Sequence, residues 1–400
     1  MNLERSADGE YRFLRFDRFM AEALYGVGGF FQSGGQAGGS DGDFLTSPET
    51  GALFGRLWGR ALDRFWEELG RPDPFVVIEA GAGAGTLARS VLRSQPECGS
   101  ALALHLVEAS QSLAALAADR LAPYPNVTVH QSIRDLSVTT AGSGRFLCHV
   151  LCSNELFDNL PCGVARRTPF ASDVQPPLPA GRFPDVAQGA AVLGGRAWEE
   201  LALLPANHRS RAAFGDLGPW QPMWVPLRSG HWAASLEALT PSDSTQPVPL
   251  PVGIDEWLAA SSAHLDVHRM LHVDYGGTLR QLQARNGEWM RTYRGHARSG
   301  APWDEPGCSD ITVDVPTDLV SVLSERHGLG PLACCDQAEW LAELNIDGLV
   351  ADAKRASEAT AAAGGLEHLR ARSVLTEAGQ LTSRTGLGAF QVLRGSADTA

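Results

Sequence analysis

The 400-residue chain contains a single lysine, Lys354, so arginine supplies nearly all of its positive charge. It carries 33 lysine and arginine residues against 46 aspartate and glutamate residues, which gives a formal net charge of −13. Because no basic excess is available to neutralise phosphate groups, we expect neither a nucleic-acid partner nor an acidic membrane surface. A negative protein of this kind suits a basic substrate.

Long hydrophobic runs are also missing. No segment approaches the roughly 20 apolar residues that span a bilayer, and Met1–Arg18 lacks the apolar block of a secretory signal. The chain has seven cysteines, an odd number, and none of them forms a C-x-x-C pair. This usage is typical of a reduced compartment. We therefore expect a cytoplasmic protein that makes no membrane contact.

The most informative pattern lies in Phe75–Leu92, where an apolar run ends at Glu79 and a helical pattern follows. Between the two stand three glycines at alternate positions, namely Gly81, Gly83 and Gly85. Glycine permits a sharp turn and the close approach of a ligand to the main chain. The dinucleotide fingerprint does not fit, because Thr86 stands at its third glycine. An acid followed by G-x-G-x-G is instead typical of the S-adenosylmethionine loop of class I methyltransferases.

A second apolar run, Ala101–Glu108, also ends in an acid. A carboxylate at the tip of this strand can accept both hydroxyls of a ribose, although a solvated strand end would look the same. A helical pattern follows from Ser110, a plausible N-cap, to Leu121.

Two further strands are predicted over Asn126–Gln131 and Arg145–Ser153. Strands that alternate with helices form a parallel sheet, and ligands bind such sheets at the carboxyl ends of the strands. The segment Ser132–Leu136 would then lie near an adenine. The predicted cofactor-binding residues are Glu79, Gly81, Ala82, Gly83, Gly85, Glu108, Ser132, Ile133 and Asn154.

The candidate catalytic residues follow the fourth strand in the sequence NELFDNLP. Glu155 and Asp158 are three apart, so one helical turn would point both carboxylates into one cleft. Such a pair suits a guanidinium group and its fixed donors, and Asn154, directly before it, is a further catalytic candidate. The alternative is that either carboxylate only caps a helix. Asp274, at the end of a predicted fifth strand Met270–Tyr275, is a further catalytic candidate, or else part of a turn.

The rest of the chain gives a coarse organisation. We expect a helix over Phe16–Leu24, a helix capped by Ser47 that ends near Leu69, and a helix over Ile254–His268. An exposed helix over Ala351–Ala363 and a last strand over Gly388–Leu393 follow. The predicted parts are an N-terminal helical segment with a lid loop (1–70), a cofactor-binding half (71–164), a substrate-side insertion (165–251) and the remaining core with C-terminal helices (252–400).

Three patterns imitate functional motifs. Gly38–Gly42 reads G-x-S-x-G, but no strand precedes it, as a hydrolase elbow requires. The histidines at 264, 268 and 272 are evenly spaced, but the last lies in a strand pattern, so we expect no metal site. Cys334 and Cys335 lack a neighbour that would activate a thiolate, and packing is the expected role.

Several longer motifs are shared with one family. They are LYGVGGFF (24–31), GDFLTSPE (42–49), IEAGAGAGTLA (78–88), VEAS (107–110), SNELFDNLP (153–161), HVDYG (272–276) and PGCSDITVDV (306–315). In these motifs the chain resembles the MidA-type methyltransferases, whose mitochondrial members assist assembly of respiratory complex I by methylating a protein arginine. The resemblance implies an α/β fold with a Rossmann-like seven-strand class I methyltransferase core, N-terminal helices and an inserted substrate-side region.

The resemblance places Glu79, the three loop glycines and Glu108 at cofactor positions, and Asn154, Glu155 and Asp158 beside the acceptor. The chain departs from the family at Ala82 and Ala84, where the usual loop reads GPGRG, at Asn159, and throughout the region after Pro161. The cofactor is therefore better supported than the acceptor.

We hypothesise a methyltransferase that moves the methyl group of S-adenosylmethionine to an arginine of a protein partner. A small-molecule N- or O-methyltransferase and a non-catalytic assembly factor are the alternatives. The sequence leaves a homodimer open.

Overall fold

The computed structural model describes residues 3–5, 12–32, 47–136, 144–168, 198–205, 218–294, 297–298, 300–361 and 365–397. The strands in these ranges are β1 (Glu4–Arg5), β2 (Arg12–Arg15), β3 (Phe75–Ala80), β4 (Leu102–Val107), β5 (Val127–His130), β6 (Phe146–Asn154), β7 (Gly163–Arg167), β8 (Trp198–Pro205), β9 (Trp220–Pro226), β10 (Val248–Leu250), β11 (Leu265–Asp274), β12 (Gly276–Gly277), β13 (Met290–Arg294), β14 (Ala297–Arg298), β15 (Asp310–Val313), β16 (Val315–Pro316), β17 (Leu332–Asp336) and β18 (Gln391–Ser396). The α-helices are α1 (Phe16–Tyr25), α2 (Ala52–Glu68), α3 (Thr86–Arg93), α4 (Gln111–Leu121), α5 (Gly230–Leu239), α6 (Val252–His264), α7 (Leu279–Ala284), α8 (Thr317–Arg326), α9 (Gln337–Glu343), α10 (Ile346–Thr360) and α11 (Leu366–Leu381).

A seven-stranded sheet in the order β17-β18-β11-β6-β3-β4-β5 forms the core. The strands from β11 to β5 are parallel to one another, whereas β18 is antiparallel to both of its neighbours. The prediction of an α/β fold with a Rossmann-like seven-strand core is confirmed.

Strand β3 is buried at all six positions, because the sheet is covered on both faces. Phe75 and Val77 pack in one apolar cluster with α2 and α3. Val76 and Ile78, which point the other way, pack in a second cluster with α6 and α8. The run FVVI is therefore apolar throughout and does not alternate.

A second sheet pairs the N-terminal strands with strands from residues 163–250, in the order β1-β2-β8-β7-β10 with β9 on the remaining edge of β8. Helix α1 buries its predicted apolar stripe, including Phe16, Phe19 and Met20, against Val164 and Leu201 of this sheet. The sequence pattern did not indicate this pairing of N-terminal strands with the region predicted as an insertion. The predicted domain boundaries stay predictions.

A small antiparallel sheet in the order β14-β13-β15 stands beside the carboxyl end of the main sheet. In its register Arg291 lies opposite Thr312, and Tyr293 lies opposite Asp310.

Several element predictions need correction. Helix α6 ends at His264, and β11 begins at once with Leu265, which pairs with Phe146; His268 therefore lies on a strand. The last strand begins at Gln391, and the strand β17, which holds Cys334 and Cys335, was not predicted. In the described part of the chain no group of three metal-ligating side chains is found. Residues 33–46, which include the Gly38–Gly42 pattern and most of the predicted lid loop, lie outside the described residues.

No helix in the described ranges is both long and apolar enough to cross a bilayer.

The prediction that Ser47 caps the second helix is wrong. Ser47 begins a short 3-10 turn, and α2 starts five residues later at Ala52. The free N–H of Leu53 donates instead to Oε2 of Glu377, at 2.8 Å. Ser373 holds the other oxygen of this buried carboxylate at 2.7 Å. A residue of α11, more than 300 positions away, therefore caps α2.

We predict that Glu377→Ala lowers the free energy of unfolding by about 1–3 kcal/mol, because it leaves the N–H of Leu53 without its acceptor inside the protein. Denaturant unfolding measures the change. Gln380→Ala, at an exposed position of the same helix, is the control and should be close to neutral. Equal effects of the two substitutions would contradict the assigned cap.

Candidate active site

A cavity of about 970 Å³ opens at the carboxyl ends of β3, β4, β6 and β11. This volume is near the upper end of the range of about 300–1,000 Å³ typical of small-ligand sites, so it has room for a cofactor and part of an acceptor. Of the predicted site residues, those that line it are Glu79, Gly81, Ala82, Gly83, Glu108, Ser132, Ile133, Asn154, Glu155 and Asp158. Gly85 and Asp274 do not.

The glycine loop turns from β3 into α3 with all three glycines at positive φ: Gly81 at 67°, Gly83 at 53° and Gly85 at 72°. A Cβ on Gly83 would meet no atom within 4 Å, so its main chain is open to the cavity. A Cβ on Gly85 would lie 2.9 Å from Cδ1 of Leu121. Gly85 therefore serves the close packing of the loop on α4, and it is not among the residues that line the cavity.

Glu108 ties the loop to the end of β4. Its Oε2 accepts the N–H of Gly83, and its Oε1 accepts the N–H of Ser110, both at 2.8 Å. Burial raises the pKa of Glu108, and these two N–H donors lower it. Each oxygen keeps a further lone pair for a ligand, because a carboxylate has about four acceptor sites. The geometry fits a ribose better than a solvated strand end.

Glu79 lies at the end of β3, with 6% of its surface exposed. Burial, followed by the neighbouring charge of Glu108, raises its pKa to about 8. A cation placed in the cavity would favour its ionised form.

Ser132 and Ile133 line the cavity just beyond β5. Ile133 is buried and presents apolar surface, whereas the hydroxyl of Ser132 accepts the N–H of Arg134 at 3.2 Å. An apolar wall beside backbone polar groups suits a flat heterocyclic base.

Glu155 and Asn154 form one unit at the end of β6. Glu155 has a φ of 53°, a sparsely populated region for a residue with a side chain. Its Oε1 accepts the amide of Asn154 at 2.9 Å and the N–H of Ser47 at 3.3 Å. The amide oxygen of Asn154 is buried, and no partner for it is found among the described residues. Glu155 thus fixes the side chain of Asn154, a residue that lines the cavity.

Asp158 lies in a 3-10 turn, Phe157–Asn159, and not on one α-helical turn with Glu155 as the spacing predicted. It is 3% exposed, and its Oδ2 accepts the hydroxyl of Tyr275. Its Oδ1 has no hydrogen-bond partner within the described ranges. Burial raises the pKa of Asp158 to about 6, while the Tyr275 hydroxyl and the charge of Arg291 lower it.

Asp274 accepts hydrogen bonds from the backbone of this turn. Its Oδ2 accepts the N–H groups of Phe157 and Asp158 at 2.8 and 3.4 Å, and its Oδ1 accepts the N–H of Tyr275 at 2.9 Å. Burial and the nearby carboxylates raise its pKa. Of the two roles considered for Asp274, a catalytic candidate or part of a turn, these contacts favour the turn, from which it positions Asp158.

Sequence reasoning missed one wall of the cavity, which comes from α1, β13 and β15. It contributes Tyr25, Arg291, Tyr293, Asp310, Thr312 and Asp314. The signal was available in the sequence DITVD, because polar residues at alternate positions of a strand share one face. Tyr25 donates its hydroxyl to the carbonyl of Asn159 at 3.1 Å, and burial, followed by the charges of Asp310 and Asp158, raises its pKa.

Six acidic side chains and four arginines line the cavity, and this acidic excess fits S-adenosylmethionine, a sulfonium cation. The acidic side chains that line the cavity are Glu79, Glu108, Glu155, Asp158, Asp310 and Asp314. The loop and Glu108 would hold its ribose, Ser132 and Ile133 its base, and Glu79 its positive charge. A glycine loop after the central strand, an acid after the next, and the antiparallel β18 define a class I S-adenosylmethionine-dependent methyltransferase.

Comparison with protein families agrees. Residues 57–333 match the family described as "Putative S-adenosyl-L-methionine-dependent methyltransferase". The chain belongs to this family, and the predicted cofactor and the resemblance to the MidA-type enzymes are confirmed.

Curated relatives carry a more specific name. The Drosophila melanogaster protein arginine methyltransferase NDUFAF7 homolog is 28% identical over 319 residues, which cover 75% of this chain and 64% of the relative. The human protein arginine methyltransferase NDUFAF7 is 32% identical over 154 residues, which cover 33% of this chain and 34% of the relative. Both are named as mitochondrial proteins. The prediction of a cytoplasmic location is therefore wrong by this comparison.

Among solved structures, a Burkholderia thailandensis protein bound to S-adenosyl-homocysteine superposes with a TM-score of 0.69 and 20% identity. The match covers 97% of this chain and 89% of that one, and it shows the shared fold.

We predict that Gly83→Val abolishes cofactor binding, because its side chain would project into the cavity. The matched control is Gly70→Val, since Gly70 also has a positive φ of 80° and open space around its Cβ but is not among the residues that line the cavity. Both substitutions should cost about 1–3 kcal/mol of stability through backbone strain. Calorimetric titration with S-adenosyl-homocysteine should separate them; equal affinities would contradict the loop assignment.

We predict that Glu79→Gln increases the free energy of unfolding, relative to the wild-type protein, by more at pH 8 than at pH 5. The folded state binds a proton at Glu79 up to a pKa of about 8, whereas the unfolded chain releases it near the ordinary value. The wild-type protein therefore loses stability as the pH rises through this window, and glutamine does not. The gap between the two proteins should widen by an amount on the order of a few kcal/mol.

Urea unfolding at pH 5 and pH 8 measures this gap. Glu358→Gln, at an exposed position of α10, serves as control and should show no widening. A gap for Glu79→Gln that stays constant between the two pH values would show that the carboxyl titrates normally.

Proposed function

We propose that this protein transfers the methyl group of S-adenosylmethionine to a guanidinium nitrogen of a protein arginine. The observation that carries the proposal is the buried carboxylate of Asp158, a residue that lines the cavity: Tyr275 donates to one of its oxygens, and the other is buried with no hydrogen-bond partner among the described residues. The names of the curated relatives, which are protein arginine methyltransferases, support the same acceptor.

The charge balance of this end of the cavity favours a cationic acceptor. A buried carboxylate is costly unless a hydrogen-bonded cation compensates it. Guanidinium offers planar N–H donors that match carboxylate oxygens. Arg291 and the Tyr275 hydroxyl already compensate the charge of Asp158 in part. A guanidinium would add a charged donor at Oδ1, which a neutral acceptor would not supply.

The bound cofactor supplies an electrophilic methyl group on its sulfonium. Asp158 supplies orientation, because an N–H bonded to its Oδ1 fixes the direction of the nitrogen that reacts. Orientation of this kind can lower a barrier by about 7–11 kcal/mol. With a pKa of about 6, the same oxygen can accept the proton that the nitrogen releases. Asn154 offers its amide oxygen as a second acceptor for an N–H group.

The direct test is methyl transfer from labelled cofactor into a cell lysate that is then separated into protein and small-molecule fractions. Label recovered as methylarginine after acid hydrolysis supports the proposal. Label in the small-molecule fraction would identify a metabolite methyltransferase instead. Cofactor at about 100 times its dissociation constant should stabilise the protein by about 2.7 kcal/mol, and stabilisation without transfer would indicate a non-catalytic binder.

We predict that Asp158→Asn lowers kcat by about 100-fold or more and leaves cofactor affinity near normal, because the carboxylate orients only the acceptor. In the wild-type protein kcat/KM should fall as the pH drops below about 6, where Asp158 becomes protonated. This acid limb should disappear from the residual activity of the variant.

Asp352→Asn, at an exposed position of α10, is the control and should keep the wild-type rate and pH profile. Full activity of Asp158→Asn, or an acid limb that persists in it, would refute the assigned role.

A further inference from the structure

A series of contacts leads from the surface of the cavity wall formed by α1, β13 and β15 to Asp158. Arg285 and Arg291 both form ion pairs with Asp314, one to each carboxylate oxygen. The guanidinium carbon of Arg291 lies 4.9 Å from the centre of the Tyr275 ring. Tyr275 in turn donates its hydroxyl to Asp158. Each link is a specific polar or cation–π contact.

The two arginines differ in burial, although they share a partner. The side chain of Arg291 is 15% exposed, whereas that of Arg285 is 44% exposed. Arg291 is confined between Asp314 and the Tyr275 ring, so its charge acts at short range in a poorly solvated place. The outer arginine, Arg285, is better solvated and reaches Asp158 through no contact of this kind in the described structure.

The groups around Asp158 are mostly acidic. Those that interact with Asp158 directly are Asp274 and Tyr275 at the end of β11, Tyr25 on α1 and Arg291 on β13. Glu155 and Asp310 belong to the same cluster, since they act on Asp274 and Tyr25. Carboxylates and phenols so close together disfavour one another's ionisation. Arg291 is the cation that opposes this effect on Asp158, and the Tyr275 hydroxyl acts in the same direction.

We propose that Arg291 is a positioning residue for methyl transfer, which acts through the Tyr275 ring to keep Asp158 ionised and to fix which of its two oxygens is left for the acceptor. The reaction it serves rests on the proposed function above. Arg291 need not contact the acceptor. Cation–π contact with the ring face fixes the ring, and the ring fixes which oxygen of Asp158 is taken by the hydroxyl.

The alternative is that Arg291 only neutralises Asp314. Arg285 already shares that task, so the two arginines form a matched pair for the test. Arg291→Gln removes the charge beside Tyr275 and leaves Asp314 paired with Arg285. Arg285→Gln leaves Asp314 paired with Arg291. If neutralising Asp314 were the whole role, the two variants would behave alike.

The experiment measures the titration of Asp158 in the ligand-free protein by infrared difference spectroscopy. The carboxyl band that disappears in Asp158→Asn identifies the group. We expect Arg291→Gln to raise the midpoint by about one pH unit or more, since a nearby opposite charge lowers a carboxyl pKa by about 1–3 units. Arg285→Gln should leave the midpoint unchanged, and Arg291→Lys, which keeps the charge, should stay near the wild-type value.

Kinetics give a second readout. The acid limb of kcat/KM should move upward with the titration midpoint in Arg291→Gln, while the affinity for S-adenosyl-homocysteine stays the same. Should Arg291→Gln fail to fold, Arg291→Met tests the same link, because it also removes the charge and its apolar side chain can still pack on the Tyr275 ring; it should raise the midpoint in the same way.

An unchanged midpoint in Arg291→Gln, or an equal shift in Arg285→Gln, would overturn the inference. The titration requires no acceptor, so it is independent of the proposed function. The wild-type protein could yield no methylarginine while Arg291→Gln still shifts the Asp158 midpoint. That result would refute arginine as the acceptor and leave the effect of Arg291 on Asp158 in place.

Discussion

The site depends on the parallel register of β3 between β4 and β6. In that register Glu79 lies beside Leu106 on one side and Cys152 on the other, so three strands end at one edge of the sheet. Glu108 and Asn154 follow the two flanking strands at this edge. Antiparallel neighbours would have sent their carboxyl ends to the opposite edge, and no shared cavity would form. The hydrogen bond from Gly83 to Glu108 then fixes the loop across this edge.

The cavity concentrates negative charge in a place that disfavours it. Burial raises the pKa values of Glu79, Glu108 and Asp158 in the ligand-free protein. Cations that enter the cavity would reverse these shifts. The buried carboxylates therefore lower the stability of the ligand-free protein and raise its affinity for a cationic ligand. A sulfonium at one end and a guanidinium at the other are two cations of the required kind. Glu155, with its positive φ, also has an unfavourable conformation at this site, and such backbone strain is concentrated at functional sites.

Much of the site could be predicted because its residues follow strands directly. The glycine loop, Glu108 and Asp158 each come within a few residues of a strongly apolar run, and such runs are visible locally. Gly85 and Asp274 were predicted as site residues but do not line the cavity, for a shared reason: their neighbours in space, Leu121 and the Phe157 turn, come from other segments. The wall that holds Arg291 escaped prediction because β13 and β15 are short and lie far along the chain from the loop.

The sequence by itself determined the alternation of strands and helices, the cofactor loop and the acidic residues that end the strands, because these depend on hydrophobic period and on glycine's backbone freedom over a few residues. Tertiary structure decided which carboxylates face the cavity, which ones hold turns, and which cation stands beside Asp158. Those outcomes depend on burial and on contacts between segments that are distant in the chain, and a local pattern contains no information on either. The cap of α2 by Glu377 is the plainest case, since only folding brings that carboxylate to Leu53.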